Sequence, residues 1–212
     1  MVSKYLKALA LTIILLSLGL GLISYLDQLR FNSIAESIEG TALEVQFTQQ
    51  LLLYESVFGE DQDICDLLND RIGVQIAATQ KALKDLANAD SQNFLGNSDL
   101  LKKRFLNQNI ALYLLVEKSR RDCGNTSIEP ILYFYSENVY SAQEASQAKV
   151  LDSLVLECGT ARVFALPIDL KIPVVDVIIT KHKVSETPAV VIGNQRIDGL
   201  TSVSELKEKL SC

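Results

Sequence analysis

"TPAVVIGNQRIDG", Thr187 to Gly199, decides how the second half of the chain folds. Ala189–Ile192 is a short apolar run rich in β-branched residues, the composition of a buried strand. Gly193 and Asn194 form a two-residue turn of the kind that reverses a strand, and Arg196–Ile197 resumes it. Pro188 stands where that strand opens, a place where a missing backbone N–H is tolerated. The stretch is therefore a β-hairpin.

The elements around it follow. Downstream, "GLTSVSELKEKL" ends the chain as a helix, with Ser202 as N-cap and Glu205 three residues on, a capping-box spacing. Upstream, "IPVVDVIITKHKV" is a short apolar helix with Pro173 in its first turn. "ARVFALPID" is a buried strand. "SAQEASQAKVLDSLVLEC" is a helix capped by Ser141, with Ala145, Ala148, Leu151, Leu154 and Val155 on one face. "EPILYFYS" supplies a first strand over Ile131–Ser136. The order is βαβα-ββα. The first two strands are expected to be parallel through a right-handed crossover, with the hairpin antiparallel and helices on both faces of a mixed sheet.

That order, "FYS" closing the first strand, and the pattern Val184, Thr187, Pro188, Gly193, Gly199 resemble the thioredoxin-like superfamily, over about Ile128 to Leu210. The resemblance implies a cis peptide bond before Pro188, facing the turn after the first strand. It also implies paired cysteines at Val139 and Ala142. The turn instead reads Val139-Tyr140-Ser141-Ala142. Neither end can form a thiolate, so dithiol exchange has no nucleophile and no leaving group. Ser141 has no adjacent base to activate it. The resemblance leaves a groove lined by Val139, Tyr140, Thr187 and Pro188, which would bind an extended peptide by strand addition.

The first half is of a different kind. Ala8–Leu26 carries no charge over about 19 residues, nearly enough for a helix to cross a ~30 Å hydrocarbon core. Lys4 and Lys7 precede it and Asp27 follows, with Tyr5 and Tyr25 at the ends. The positive flank places the N-terminus in the cytoplasm and the bulk of the chain outside, as a single-pass signal-anchor. The alternative is a cleaved signal peptide, with "GLG" at Gly19–Gly21 as a weak exit. Both export residues 30–212. From Ile34 to Arg121 the pattern is helical and free of proline. Leu43, Phe47, Leu51, Tyr54 and Phe58 form one apolar stripe. Ile64, Leu68, Ile72, Ile76, Leu83 and Leu86 form a second, and Leu101, Phe105, Leu112 and Val116 a third. Asp61 or Asp63 caps the second helix and Ser98 the third. Glu60, Asp61 and Asp63 do not match a calcium loop. This predicts an antiparallel three-helix hairpin. The organisation is an anchor over 1–29, a helical region over 30–124 and a thioredoxin-like domain over 125–212.

Composition excludes several functions. The net charge is -6, which argues against a nucleic-acid partner. One histidine rules out a multi-histidine centre. The four cysteines, Cys65, Cys123, Cys158 and Cys212, are dispersed rather than paired as zinc ligands, so no metal and no cofactor is expected. An exported chain with an even count points to disulfides, in three possible connectivities. Antiparallel helices bring Cys65 beside Cys123. In the resembled fold the first and last helices run parallel on one face, which implies Cys158–Cys212. Asn125-Thr126-Ser127 fits the N-glycosylation triplet, and His182 reads as a solvent-facing helix end. The expected function is a membrane-anchored, extracytoplasmic, non-catalytic protein that binds protein or peptide partners as a chaperone or adaptor. The alternatives are an oxidoreductase using Cys158 and Cys212, and a scaffold acting through its helical region.

Overall fold

The computed structural model describes residues 2–58, 63–91, 98–210 and 212, with side chains at 2, 3, 41, 44, 48, 51, 52, 54–58, 63, 64, 88–91, 98 and 99 left undescribed. The readings at Leu51, Tyr54, Phe58, Glu60, Asp61, Asp63, Ile64 and Ser98 lie outside the described side chains. Three helices come first: α1 (Val2–Phe58), α2 (Asp63–Ser91) and α3 (Ser98–Cys123). They are followed by β1 (Glu129–Tyr135), α4 (Ala142–Glu157), β2 (Ala161–Pro167), α5 (Pro173–His182), β3 (Ala189–Ile192), β4 (Gln195–Asp198) and α6 (Val203–Leu210).

The apolar segment and the first helix behind it are one helix, α1, of 57 residues. Its Lys4–Phe47 stretch is the one part of the described residues long and apolar enough to cross a membrane, by length and composition. The most apolar window is unburied. An uncovered apolar helix and two disulfides fit a membrane protein with an oxidising side.

The chain divides into two compact units. The first joins Met1–Phe47 to Gln75–Gln108. Its core is Ile34 and Ile38 of α1, Ala82 and Leu86 of α2, and Leu101 of α3, with Phe31, Ala35 and Phe105 at its margin. Arg104 and Glu39 form an ion pair across it at 2.9 Å. The stripe read at Leu43 and Phe47 is not its core: these side chains are 54% and 59% exposed, while Val45 is buried. At about 100° per residue, Leu43 and Phe47 lie opposite Ile38 and Val45 on the helix. α1 is apolar on both faces, so spacing alone did not choose between them. Leu83 is exposed for the same reason, one residue from buried Ala82.

The second unit joins Thr48–Val74 to Asn109–Cys212. Its four-stranded sheet has the order β2-β1-β3-β4. β1 pairs parallel with β2, and β3 pairs antiparallel with both β1 and β4. Strand alternation sends Ile131, Tyr133, Val190 and Ile192 to one face, where Leu151 and Leu154 of α4 and Leu206 of α6 cover them. The other face carries Leu132, Phe134, Phe164 and Leu166, all buried. There Tyr113 of α3 meets Phe164 edge-on, with ring centroids 5.4 Å apart. Burial pushes the Tyr113 hydroxyl up to about 12, with Glu117 adding to the shift. α3 therefore contributes to the sheet's core, which sequence spacing did not indicate. Ser202 and Glu205 form the reciprocal cap expected at α6. Gly193 takes φ +57° in the hairpin turn, a conformation open to glycine without steric cost. This small mixed α/β arrangement is compatible with a thioredoxin-like fold.

Two disulfides tie the second unit: Cys65–Cys123, with Cα atoms 5.6 Å apart, and Cys158–Cys212, with Cα atoms 5.9 Å apart. Beside the first bridge, the Asn125 side-chain amide donates to Asn69 Oδ1 at 2.7 Å. Ser119 Oγ donates to the same oxygen at 2.6 Å. Asn125 Oδ1 in turn accepts from the Ser127 N–H and hydroxyl. The nitrogen that a glycan would occupy is engaged in the fold. Mass spectrometry of the natural protein is expected to find Asn125 unmodified. Asn125→Ala is expected to cost about 1–3 kcal/mol in denaturant unfolding, because Asn69 and Ser119 lose a partner.

Candidate functional site

The candidate site is the turn after β1 and the loop before β3. Phe134 pairs with Ala189 across the antiparallel ladder. Just beyond that pair, Ser136 and Thr187 both bond the Glu144 carboxylate. The Thr187–Pro188 peptide bond is cis.

Two carboxylates hold the turn. Glu144, in the first turn of α4, is 1% exposed. It accepts from the Ser136 N–H at 2.8 Å and the Ser141 N–H at 2.6 Å. Its own N–H donates to Ser141 Oγ at 3.2 Å, which completes a capping box. The Thr187 hydroxyl also bonds to this carboxylate, so one side chain spans the turn and the Thr187–Pro188 loop. Asp169, after β2, accepts from Ser136 Oγ at 2.9 Å and from the Glu137 and Asn138 N–H groups at 3.0 and 2.7 Å. The Val139 N–H donates to Ser136 Oγ at 3.0 Å. These bonds use the turn's amides internally.

The electrostatics follow from this. Burial alone would raise the Glu144 carboxyl, but the Ser141 and Ser136 amides with the Thr187 and Ser141 hydroxyls outweigh it and hold the pKa below the usual value. Asp169 is lowered in the same way: burial opposes, and the Asn138 and Glu137 amides prevail. Both are ionised at neutral pH, with their oxygens occupied by donors. Three tyrosines line up nearby. Tyr133 stacks on Tyr135 at 5.6 Å, and Tyr140 meets Tyr135 edge-on at 6.0 Å. Burial raises the Tyr135 hydroxyl well above its ordinary value, and Glu137 adds to the shift. Burial also raises Tyr133 and Tyr140. These phenols stay protonated and are poor bases.

Of the residues read from the sequence, Val139 and Tyr140 stand at the turn tip, 75% and 52% exposed. Thr187 is half-buried and Pro188 buried. Ser141 is the N-cap of α4. Among the described residues, the backbone of Ser185, Glu186 and Thr187 bonds to no other backbone group. Glu144 and Asp169 were not singled out from sequence. The spacing Ser141-x-x-Glu144 is a capping-box signal that could have found the first. No local pattern marks Asp169, which acts across the fold. His182 is half-buried at the end of α5 rather than facing solvent, with Nε2 lacking a hydrogen-bond partner. Burial, then Lys181, lowers its pKa, so it is neutral at pH 7. Cys158 and Cys212 lie at the far end of α4, roughly 24 Å along the helix from the turn.

No family model matches the chain, and no curated protein matches it.

Proposed function

We propose that this chain is a membrane-anchored, thioredoxin-like protein with its N-terminus cytoplasmic and its sheet-bearing unit outside, and that it binds extended peptide or protein segments without redox chemistry. The observation that carries the reading is the backbone of Ser185–Thr187, free of backbone partners among the described residues, tied through Glu144 to the turn that exposes Val139 and Tyr140. An extended segment could pair with that backbone and rest its side chains on the turn tip. Lys4 and Lys7 ahead of the apolar segment support the orientation. The filled oxygens of Glu144 and Asp169, and a turn without cysteine, support a binding role over a catalytic one.

The test uses the full chain in detergent and a fluorescent, reduced and alkylated unfolded polypeptide. Binding is expected, and Tyr140→Ala with Val139→Asp is expected to weaken it about tenfold or more while the circular dichroism spectrum is unchanged. Unchanged affinity in that variant would sink the groove. The same preparation addresses the oxidoreductase alternative, against which stands the burial of Cys158, 2% exposed. Insulin reduction is expected at background with or without Cys212→Ser. A scaffold role for the helical region draws on exposed Leu43 and Phe47. Crosslinks from position 43 or 47, and none from 140, would favour it.

A further inference from the structure

The sheet has two edges, and they are built differently. β4 is short, exposed and charged. Arg196 and Asp198 pair along it at 3.0 Å, and Arg196 also donates to the Lys183 carbonyl. Short, charged edges of this kind resist pairing with other chains. β2, the opposite edge, reads Ala-Arg-Val-Phe-Ala-Leu-Pro over seven residues. Its only charge is Arg162. β2 pairs with β1 alone, and among the described residues no backbone group outside the ladder bonds to Arg162–Leu166. Every second residue of an edge strand leaves its N–H and C=O without a ladder partner.

Arg162 adds a chemical demand. Its Nε is buried and has no hydrogen-bond partner. No described carboxylate pairs with its guanidinium. Glu129, one step along the ladder from Pro130 opposite Arg162, is held by Arg120 at 2.9 Å. Burial lowers the Arg162 pKa, and no described acidic side chain offsets it. A partly desolvated guanidinium with no anion is costly, and its planar fork suits a carboxylate.

We propose that β2 is a second docking edge, at which an extended acidic segment of a partner protein adds as a fifth strand with its carboxylate on Arg162. The free strand edge supplies backbone pairing, and the unpaired cation selects for an Asp or Glu in the incoming strand. This edge is separate from the Thr187–Pro188 loop. β1 and β3 differ in their neighbours, and β2 lies on the side of β1 away from β3.

The test again uses the full chain in detergent. The probe is the capped heptapeptide TVTDTVT, with an Asn version, a Lys version and a version N-methylated at every residue. Fluorescence anisotropy is expected to show the Asp peptide binding roughly tenfold tighter than the Asn peptide, the range of one charge-assisted hydrogen bond. Arg162→Gln is expected to erase that difference, and Arg162→Glu to reverse it in favour of the Lys peptide. The N-methylated peptide, unable to pair, is expected not to bind. Amide exchange is expected to slow within 161–167. Equal affinity for the Asp and Asn peptides would overturn the proposal, as would a preference that survives Arg162→Gln. Slowed exchange at 185–187 without change at 161–167 would also overturn it while leaving the groove reading standing. Self-association without peptide that depends on Arg162 would assign the edge to a second copy and overturn it too.

Discussion

Replacing Glu144 with alanine is expected to lower the unfolding free energy of the sheet-bearing unit by about 3–5 kcal/mol, read by chemical denaturation. The magnitude comes from what the substitution strands. Two backbone N–H groups, at part-buried Ser136 and Ser141, lose their acceptor. The Thr187 hydroxyl loses its partner as well. Each buried unmade bond costs about 1–3 kcal/mol. Glu144→Gln should fall between wild type and alanine: one oxygen is kept, while the amide nitrogen turns a donor toward a donor. The charge gives a second readout. The folded carboxyl has a pKa below its ordinary value of 4.5, so the ionised form is favoured in the native state. That contribution is present above the unfolded pKa and is lost as pH falls through the folded one. Glu144→Gln should flatten this part of the acid limb. A stability profile identical to wild type, in both size and pH dependence, would falsify the assignment of Glu144 as the clamp.

Removing Cys65–Cys123 by a double serine substitution is expected to cost about 4 kcal/mol, and removing Cys158–Cys212 about the same. The bridges close chain segments of 58 and 54 residues, and the chain-entropy relation gives nearly equal values for such lengths. What else holds each pair of ends is unequal. The Cys65–Cys123 region keeps the Asn69, Ser119 and Asn125 bonds and the Arg120–Glu129 pair after the cysteines are gone. Beyond the buried Leu206, the last turn of the chain keeps Lys207–Glu157 and Lys209–Gln195, polar contacts open to solvent and worth little. The Cys158/Cys212 variant should therefore lose amide protection locally in α6 before the rest of the unit, whereas the Cys65/Cys123 variant should weaken more evenly. Reduction of wild type with dithiothreitol should reproduce the sum. Unfolding unchanged by either variant would show that the bridges contribute nothing to stability.

The sheet-bearing half was legible because its signals are local. Gly193-Asn194 fixes a hairpin, Ser141 and Ser202 mark helix starts, and Pro173 opens a helix. The cysteines also lie where neighbouring helix ends bring them together. The helical half was less legible. α1 offers apolar residues all round, so Leu43 and Phe47 spell a stripe as plausible as Ile34 and Ile38, and only the side chains of α2 and α3 decide. The covering of Phe164 by Tyr113 joins residues about fifty positions apart with no shared pattern. The same holds for the site. Val139, Tyr140, Thr187 and Pro188 stand in short segments, and Glu144 was within reach of its cap spacing. Asp169 bonds to a turn some thirty residues earlier, and Arg162 stands out only through the partner it lacks. Neither property exists in one dimension.

The continuity of α1 fixes a phase as well as a length. No loop separates its apolar segment from Ile34 and Ile38, so rotation about the helix axis passes from one to the other undiminished. Losing one residue between Leu26 and Ile34 would turn the packing face by about 100° against the apolar segment, and losing seven would bring it back to within about 20°. A flexible tether would be indifferent to such counting, whereas a continuous helix couples the two faces.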